Sequence, residues 1–331
     1  MARALDEAEL LKLVDALAAG ELRSGEELAA KAGVTRAALA KRVDHLREWG
    51  LDLIAEPGRG YRLAAPLERL DAARIRNGLP PAARKLLQGL QVLARTDSTN
   101  QRLLEADAAA DPQVLFAEMQ TAGRGRRGRA WRSPFGANLY FSLAWTFPAW
   151  PPQPTALPLV VGLACAGALR GVGAREIRLK WPNDLRIGAA KLGGILVEQR
   201  GEAGGPCRCV IGVGLNLAMT SAQAGALDQP WTSLREVLGA MPSRNAVAAA
   251  LLGEILSALP RFQDEGFAPF AVSWAELDGT ANQPLHIEGA GAILEGVGRG
   301  VDANGALIVE SHGKRHLVHA GEVSLRLGAK P

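Results

Sequence analysis

Three glycines in the stretch AEMQTAGRGRRGRAWRSPFGANLYFSLAW constrain the fold more than any other feature of the chain. Gly123, Gly125 and Gly128 have the G-x-G-x-x-G spacing of a dinucleotide-binding turn. That fold requires a strand before the glycines, a helix after them and an acidic residue roughly 20 positions on. VLFAEMQ supplies a strand. No helix follows, because Pro134 and Gly136 punctuate the chain and β-favouring residues come next. No Asp or Glu occurs between Glu118 and Glu176. The doubly wound dinucleotide fold is excluded. So is a P-loop, since no Gly-Lys-Ser/Thr closes the turn.

Arg124, Arg126, Arg127, Arg129 and Arg132 crowd this one loop without a compensating carboxylate. Glycines let the backbone approach a ligand and expose its N–H groups, and arginine offers a fixed fork to carboxylate and phosphate. The loop has the makings of an anion cradle. A solvated basic turn and a non-specific nucleic-acid contact have the same composition.

A chain of 331 residues, 48% of them hydrophobic, can build two or three cores. The net charge of +4 is too mild to prove a nucleic-acid partner. Cys165, Cys207 and Cys209 make neither a disulfide framework nor a zinc pattern. They suit a reducing cytoplasm, and the charged start ARALDEAELLK does not resemble a signal peptide. The apolar run TALPLVVGLACAGALRGVG, broken by Pro158 and Arg170, is expected as a buried helix rather than a membrane span. His312, His316 and His319 fall on a turn and strands, where residues three apart face opposite ways, so no metal site is expected.

Near the N-terminus, Leu10, Leu13, Val14 and Leu17 mark one helical face. Ser24 and Glu27 have capping-box spacing, and Gly33 separates that short helix from a longer one carrying Leu39, Val43 and Leu46. This is a helix-turn-helix, and LDLIAE-PGRG-YRL adds a hairpin wing. Residues 1–27 carry three basic and seven acidic side chains; residues 28–66 carry seven and four. The reversal places the basic side on the second helix and wing, with Arg36, Lys41, Arg42 and Arg59 as expected DNA contacts. A small helical domain for protein contacts is the alternative. The assigned boundaries are 1–65 for this domain, 66–88 for a proline-flanked linker with a short helix, 89–278 for a second domain and 279–331 for a third. The last has short strands and glycine turns, as in a small barrel.

In the second domain, Ser98, Thr99 and Asn100 stand where a strand turns into a helix. They could cap that helix or hydrogen-bond a neutral ligand such as a urea. IRLKWPNDLRIGAAKLGGILVEQ and CVIGVGLNLAM are strand-like, with Lys180 and Lys191 in or beside them. An anion is one reason for such lysines; a solvent-facing strand is another.

TDSTNQ, QTAGRGRRGRAW, KWPNDL, KLGGILVE and GVGLN occur in the order and spacing of biotin protein ligases. With the N-terminal helix-turn-helix, the chain resembles the bifunctional kind that also represses the biotin operon, over nearly its full length. Gly193 is a departure, alanine being frequent there, and is expected to be harmless. The resemblance implies an α+β multidomain fold: an N-terminal winged helix-turn-helix, a central mixed β-sheet with helices, and a C-terminal small SH3-like β-barrel. It implies that biotin and ATP, the latter bringing Mg²⁺ on its phosphates, form biotinyl-5′-AMP, from which a lysine of biotin carboxyl carrier protein takes the biotin.

By position, Ser98, Thr99, Asn100 and Gln120 would hold the ureido ring. Arg124, Gly125 and Arg126 would bind at the biotin carboxylate and phosphate. Lys191 would be the main catalytic charge, with Arg126. Arg129, Trp131, Lys180 and Asn216 would serve the adenylate, and Asp184 would help the carrier lysine lose its proton. Operator DNA, a homodimer formed when biotinyl-5′-AMP is bound, a cytoplasmic location and no membrane partner complete the expectation. A ligase with a non-regulatory N-terminal domain and a non-enzymatic sensing repressor are the competing readings.

Overall fold

The computed structural model describes residues 6–202, 204–225, 227, 229–289, 292–319 and 323–327. Its first unit contains α1 (Glu7–Leu17), the two-residue β1 (Arg23–Ser24), α2 (Gly25–Lys31), α3 (Arg36–Glu48), β2 (Leu53–Glu56) and β3 (Gly60–Leu63). Leu10, Leu13, Val14 and Leu17 are buried against Leu28, Leu39, Val43 and Leu46, so the helical periodicity faces one core. Asp6, Ser24 and Thr35 cap the three helices by accepting from their first-turn N–H groups. The wing hairpin packs against β1 so closely that a Cβ on Gly60 would lie 1.8 Å from Arg23 O. Only glycine fits there.

Residues 66–88, expected as a linker, do not form a tether. They contain α4 (Ala72–Gly78) and α5 (Pro81–Leu86), and Leu70, Ile75, Leu79, Ala83 and Leu87 belong to the main core. A Cβ on Gly78 would come within 2.8 Å of the Ala249 Cβ, so that glycine lets α4 lie directly on the long helix α10 described below.

The second unit is built on a seven-stranded sheet. Its strands are β4 (Gly89–Thr96), β5 (Gln113–Gln120), β6 (Leu139–Phe147), β7 (Ile177–Lys180), β8 (Asp184–Ile187), β9 (Ala190–Arg200) and β10 (Cys207–Leu215). The order is β4-β5-β6-β10-β9-β8-β7. The β4–β5 pair is parallel and the others antiparallel. Its helices are α6 (Thr99–Glu105), α7 (Leu157–Gly171), α8 (Ser221–Ala224), α9 (Leu234–Leu238), α10 (Arg244–Glu265) and α11 (Ala271–Leu277).

The segment Pro154–Gly171 is long and apolar enough to cross a membrane by length and composition alone. Here α7 is packed between α10 and the sheet, as expected of a buried helix. Leu157, Leu159, Val160, Val161 and Leu169 are at most 1% exposed, each contributing about 1.5–3 kcal/mol by leaving water.

The C-terminal SH3-like unit has β11 (Pro284–Gly289), β12 (Ala292–Val301), β13 (Leu307–Ser311), β14 (Lys314–Val318) and β15 (Val323–Leu327). All are antiparallel, in the order β14-β13-β12-β11-β15. Leu285, Ile287, Leu307 and Val309 join the main core, and Trp181 Nε1 donates to Gly305 O at 3.1 Å.

The first unit docks on the second. Trp49 stacks on Phe135 with centroids 5.2 Å apart, and Phe135 N donates to Trp49 O at 3.0 Å. Gln223 Nε2 donates to Gly50 O at 2.8 Å, and Arg69 pairs with Asp15 at 2.8 Å.

Candidate active site and nucleic-acid face

The parallel pair β4–β5 ends with both chains turning out of the sheet, which brings two sequence motifs together. At the end of β4, Ser98 caps α6. Asp97 accepts from Ser98 N at 2.7 Å and from Thr96 Oγ1 at 2.9 Å; these bonds, the Ser98 N–H first, hold its carboxyl below the usual range. At the end of β5, Gln120 Oε1 accepts from Thr99 N at 2.9 Å and stands 3.1 Å from Thr99 Oγ1. Gln120 Nε2 donates to Ser133 Oγ, and that hydroxyl donates to Trp131 O. The two ends of the arginine loop are thereby tied to α6.

Asn100 is tied to two strands of the sheet. It is buried, its Nδ2 donates to Glu198 Oε2 at 2.8 Å, and its Oδ1 accepts from Ser142 Oγ at 2.5 Å. Both ends of the amide have a protein partner, as do both ends of Gln120.

The loop itself is folded. Gly125 N donates to Arg129 O at 2.7 Å, and a 3₁₀ turn over Arg126–Gly128 places Arg127 and Gly128 at φ 58° and 69°. A Cβ on Gly123 would lie 2.8 Å from Trp131 O and 2.9 Å from Ser133 Oγ. The first glycine is therefore required by close approach of the loop to itself. Arg124 donates to Gln101 Oε1 at 2.9 Å and lies 3.9 Å from Glu198. Arg126, partly buried, donates to Asn183 Oδ1 at 3.4 Å. Burial lowers the pKa of its guanidinium, with Asp184 opposing the shift. Arg129 is exposed.

Trp131 lies on a shelf of glycines. A Cβ on Gly214 would be 2.5 Å from its ring, and one on Gly194 3.5 Å, so the bare positions of β9 and β10 provide its seat. The buried Nε1 of this indole has no acceptor among the described residues. Lys191 Nζ sits 5.5 Å from the ring centroid and 2.7 Å from Asp184 Oδ1.

Lys180, on β7 opposite Asp184 of β8, is pushed down to about 8 by burial; Asp184 opposes the shift, while Arg186, Lys191 and Arg129 add to it. Asn216 Nδ2 donates to Lys191 O at 3.4 Å, and Asn216 N donates to Leu192 O at 2.8 Å. A Cβ on Gly193 would stand 2.8 Å from Gly214 O, so glycine eases the β9–β10 pairing.

Four side chains here escaped the sequence reading. Asn183 and Ser133 orient the loop and Glu198 and Ser142 orient Asn100; Asn183 lies inside KWPNDL and Glu198 ends KLGGILVE, and that membership is the one signal that pointed to them. Trp231 was also passed over. Lys191 N donates to Pro230 O and Thr232 N donates to Lys191 O, so the segment around Trp231 pairs with the start of β9. Ala226 and Asp228 of the same segment lie outside the described residues.

Chemically, the site surrounds Asp184 with several cations, of which at least two are desolvated, and Glu198 stands 3.9 Å from a further one, Arg124. Such a place favours an added anion.

On the first unit, Arg36 and Arg59 are exposed and line a groove of about 310 Å³ between the helices and the wing. Lys41 is exposed on α3. Arg42 is not: it is buried and ion-paired with Glu9 of α1. Its expected role in touching DNA is corrected, since its guanidinium holds α3 to α1. Arg59 pairs with Glu56 at 2.6 Å on the surface.

Residues 92–216 match the biotin/lipoate A/B protein ligase family, residues 9–62 a helix-turn-helix domain, and residues 280–326 the biotin protein ligase C-terminal domain. The chain is 41% identical to the bifunctional ligase/repressor BirA of Escherichia coli strain K12, over 97% of this chain and 98% of that one. It is 34% identical to the biotin–[acetyl-CoA-carboxylase] ligase of Mycobacterium tuberculosis, over 71% of this chain and 88% of that one. The biotin protein ligase of Aquifex aeolicus, solved in complex with biotin and ATP, superposes with a TM-score of 0.64 at 27% identity, covering 73% of this chain and all of that one.

Proposed function

The chain belongs to the biotin protein ligase family, in its bifunctional ligase/repressor form, and from that premise we propose how its residues divide the work. The protein is an ATP-dependent biotin ligase. Biotin and ATP, with Mg²⁺ on the phosphates, give biotinyl-5′-AMP and pyrophosphate; a lysine amine of biotin carboxyl carrier protein then attacks the acyl carbon and AMP leaves. The helix-turn-helix makes it also a DNA-binding, biotin-responsive repressor.

Both reactants of the first step are anions, and their repulsion must be offset where the bond forms. Lys191 and Arg126 act there, stabilising charge that develops between the biotin carboxylate and the α-phosphate. Asp184 holds Lys191 at 2.7 Å and is the acceptor proposed for the carrier lysine's proton. Lys180 and Arg129 bind phosphate, Trp131 and Asn216 form the adenylate side, and Arg124 and Gly125 close over the carboxylate. Ser98, Thr99, Asn100 and Gln120 face the ureido ring.

The observation that carries the assignment is the Lys191–Asp184–Trp131 contact on the glycine shelf, flanked by the desolvated Lys180. Purified protein with biotin, ATP, Mg²⁺ and carrier domain tests it. Biotin transfer is expected, and no transfer where a known ligase works would reject it.

Residues 1–65 serve DNA and 89–278 the chemistry, with 66–88 packed on the latter and 279–331 helping to complete the ATP and carrier sites. Arg36, Lys41 and Arg59 contact DNA. The adenylate acts as corepressor by promoting a homodimer, because one winged helix offers limited contact and helix-turn-helix proteins bind paired half-sites as dimers. Adding ATP to a biotin-bound sample should move sedimentation from monomer toward dimer and tighten binding to a palindromic operator. Equal DNA affinity with and without adenylate would reject the coupling. The three buried free thiols suit the same cytoplasmic reading.

A further inference from the structure

Glu198 on β9 and Ser142 on β6 are tied to α6 through Asn100. Glu198 Oε2 accepts from Asn100 Nδ2 at 2.8 Å, and Leu196 O stands 3.4 Å from the same nitrogen. Two acceptors on one side fix the amide orientation: the NH₂ faces β9 and Oδ1 faces Ser142. A Cβ on Gly212 would come within 2.3 Å of that Oδ1, so β10 is bare where Asn100 enters.

Ser142 Oγ lies 2.5 Å from Asn100 Oδ1 and 2.7 Å from Thr99 Oγ1. A hydroxyl has one proton. Oδ1 can only accept, so the Ser142 proton goes there, and the 2.7 Å contact is filled by the proton of Thr99. Gln120 Oε1 is a weaker claimant for that proton: it stands 3.1 Å from Thr99 Oγ1 and already accepts Thr99 N–H at 2.9 Å. With its proton committed inward, the Thr99 hydroxyl can offer a ligand only a lone pair.

We propose that Glu198 and Ser142 are specificity-determining positioning residues, which orient Asn100 and Thr99 so that Thr99 accepts a ring N–H of the ureido group. The proposal rests on the placement of the ureido ring at Thr99 given above. Its logic is that of a site built to bond one polar group, which rejects an analogue lacking that group far better than a merely snug pocket does.

The test compares biotin with the two cyclic carbamates in which one ring N–H is replaced by oxygen. In Ser142→Ala the Thr99 proton loses its 2.7 Å partner and keeps only the longer contact to Gln120 Oε1, which already accepts Thr99 N–H, so it can also turn outward. The kcat/KM preference for biotin over one carbamate should fall about tenfold, with KM for biotin up about tenfold and kcat within about threefold of wild type. Glu198→Leu frees the Asn100 amide and should behave likewise. Glu198→Gln keeps an acceptor oxygen for Asn100 and should restore both KM and preference. Glu198→Leu carries the test if Ser142→Ala does not fold. An unchanged preference in Ser142→Ala and Glu198→Leu, or equal losses on biotin and both carbamates, overturns the proposal. If the wild-type protein fails to ligate biotin, the functional reading falls and takes this one with it; if it ligates normally while preferences stay fixed, only this one falls.

Discussion

Two ion pairs divide the second unit, and they are opposites. Arg244 and Glu118 meet at 2.7 Å with both side chains fully buried. Arg244 also donates to Glu68 O and Asn138 O, while Glu118 Oε1 accepts from Leu70 N. Asn138 Oδ1 in turn accepts from Leu217 N and Met219 N. This brace is one cation against one carboxylate, sealed and hydrogen-bonded into five chain segments. Lys191 and Asp184 also meet at 2.7 Å, but with 16% and 14% of their side chains exposed, and Lys180, Arg126 and Arg186 crowd the same carboxylate. The brace balances its charge without a ligand. The cradle has more positive charge than its own carboxylate offsets, and an anionic ligand would supply the balance. A balanced buried pair marks architecture here, and an unbalanced one marks chemistry.

The largest expected effect breaks the brace. Arg244→Ala leaves Glu118 buried without its cation and should cost about 3–5 kcal/mol of stability, read from urea unfolding. Replacing both members with apolar residues of similar volume should recover much of that loss. A full loss that persists in the double variant would mean the hydrogen bonds, rather than the charges, hold the brace.

Lys191→Ala does the reverse in the cradle. Adenylate formation, followed by pyrophosphate release, should slow about a hundred- to a thousandfold with the unfolding midpoint little changed. Near-normal release would remove Lys191 from the chemistry. Arg126→Gly is milder. Losing one charged contact should speed adenylate dissociation about 10–100-fold, and escaped adenylate should label lysines outside the carrier. Labelling confined to the carrier at an unchanged dissociation rate would show that Arg126 is not a retaining contact.

The same contrast recurs in the DNA-binding unit. Arg36 is exposed, whereas Arg42 is closed on Glu9. Arg36→Ala should weaken operator binding about tenfold and reduce the salt slope by about one. Arg42→Ala should lower stability first; a reduced salt slope at unchanged stability would return Arg42 to the DNA face.

The smallest effect is a pH dependence. Burial holds the Lys180 ammonium down at about 8 in the folded protein, against about 10.4 for an unperturbed lysine. Between those values the unfolded chain binds more protons, so this group's contribution to stability rises with pH across the window. Its attraction for phosphate goes the other way, fading as pH rises through about 8. KM for ATP should climb a few-fold (~2–5) between about pH 7 and 9, and Lys180→Met should flatten the rise. An identical profile in the variant would show that Lys180 does not meet ATP.

Local patterns in the sequence accounted for much of this. The apolar stripe of α1, the caps Ser24 and Ser98, and the wing hairpin depend on neighbours within a turn or two. The arginine loop and Lys191 also stood out, because glycines and charges in strand-rich surroundings need a reason. Residues 66–88 were harder. Their prolines suggest a tether, and only the arrival of α10 turns Ile75 and Leu79 into core. Arg42 was misplaced because a polar side chain in a motif looks available until its partner, more than thirty residues away, is known.

The sequence by itself determined the kinds of elements, their order and the chemical character of the cradle, since capping, periodicity and charge act over a few residues. Tertiary structure decided which charges are used up. Glu118 finds Arg244, Glu9 finds Arg42 and Glu198 finds Asn100 only when strands and helices distant in sequence pack together. The free energy of a charged or polar group depends on its burial and its partners. Packing sets both, so it separates the arginines that brace the fold from those left to meet a ligand.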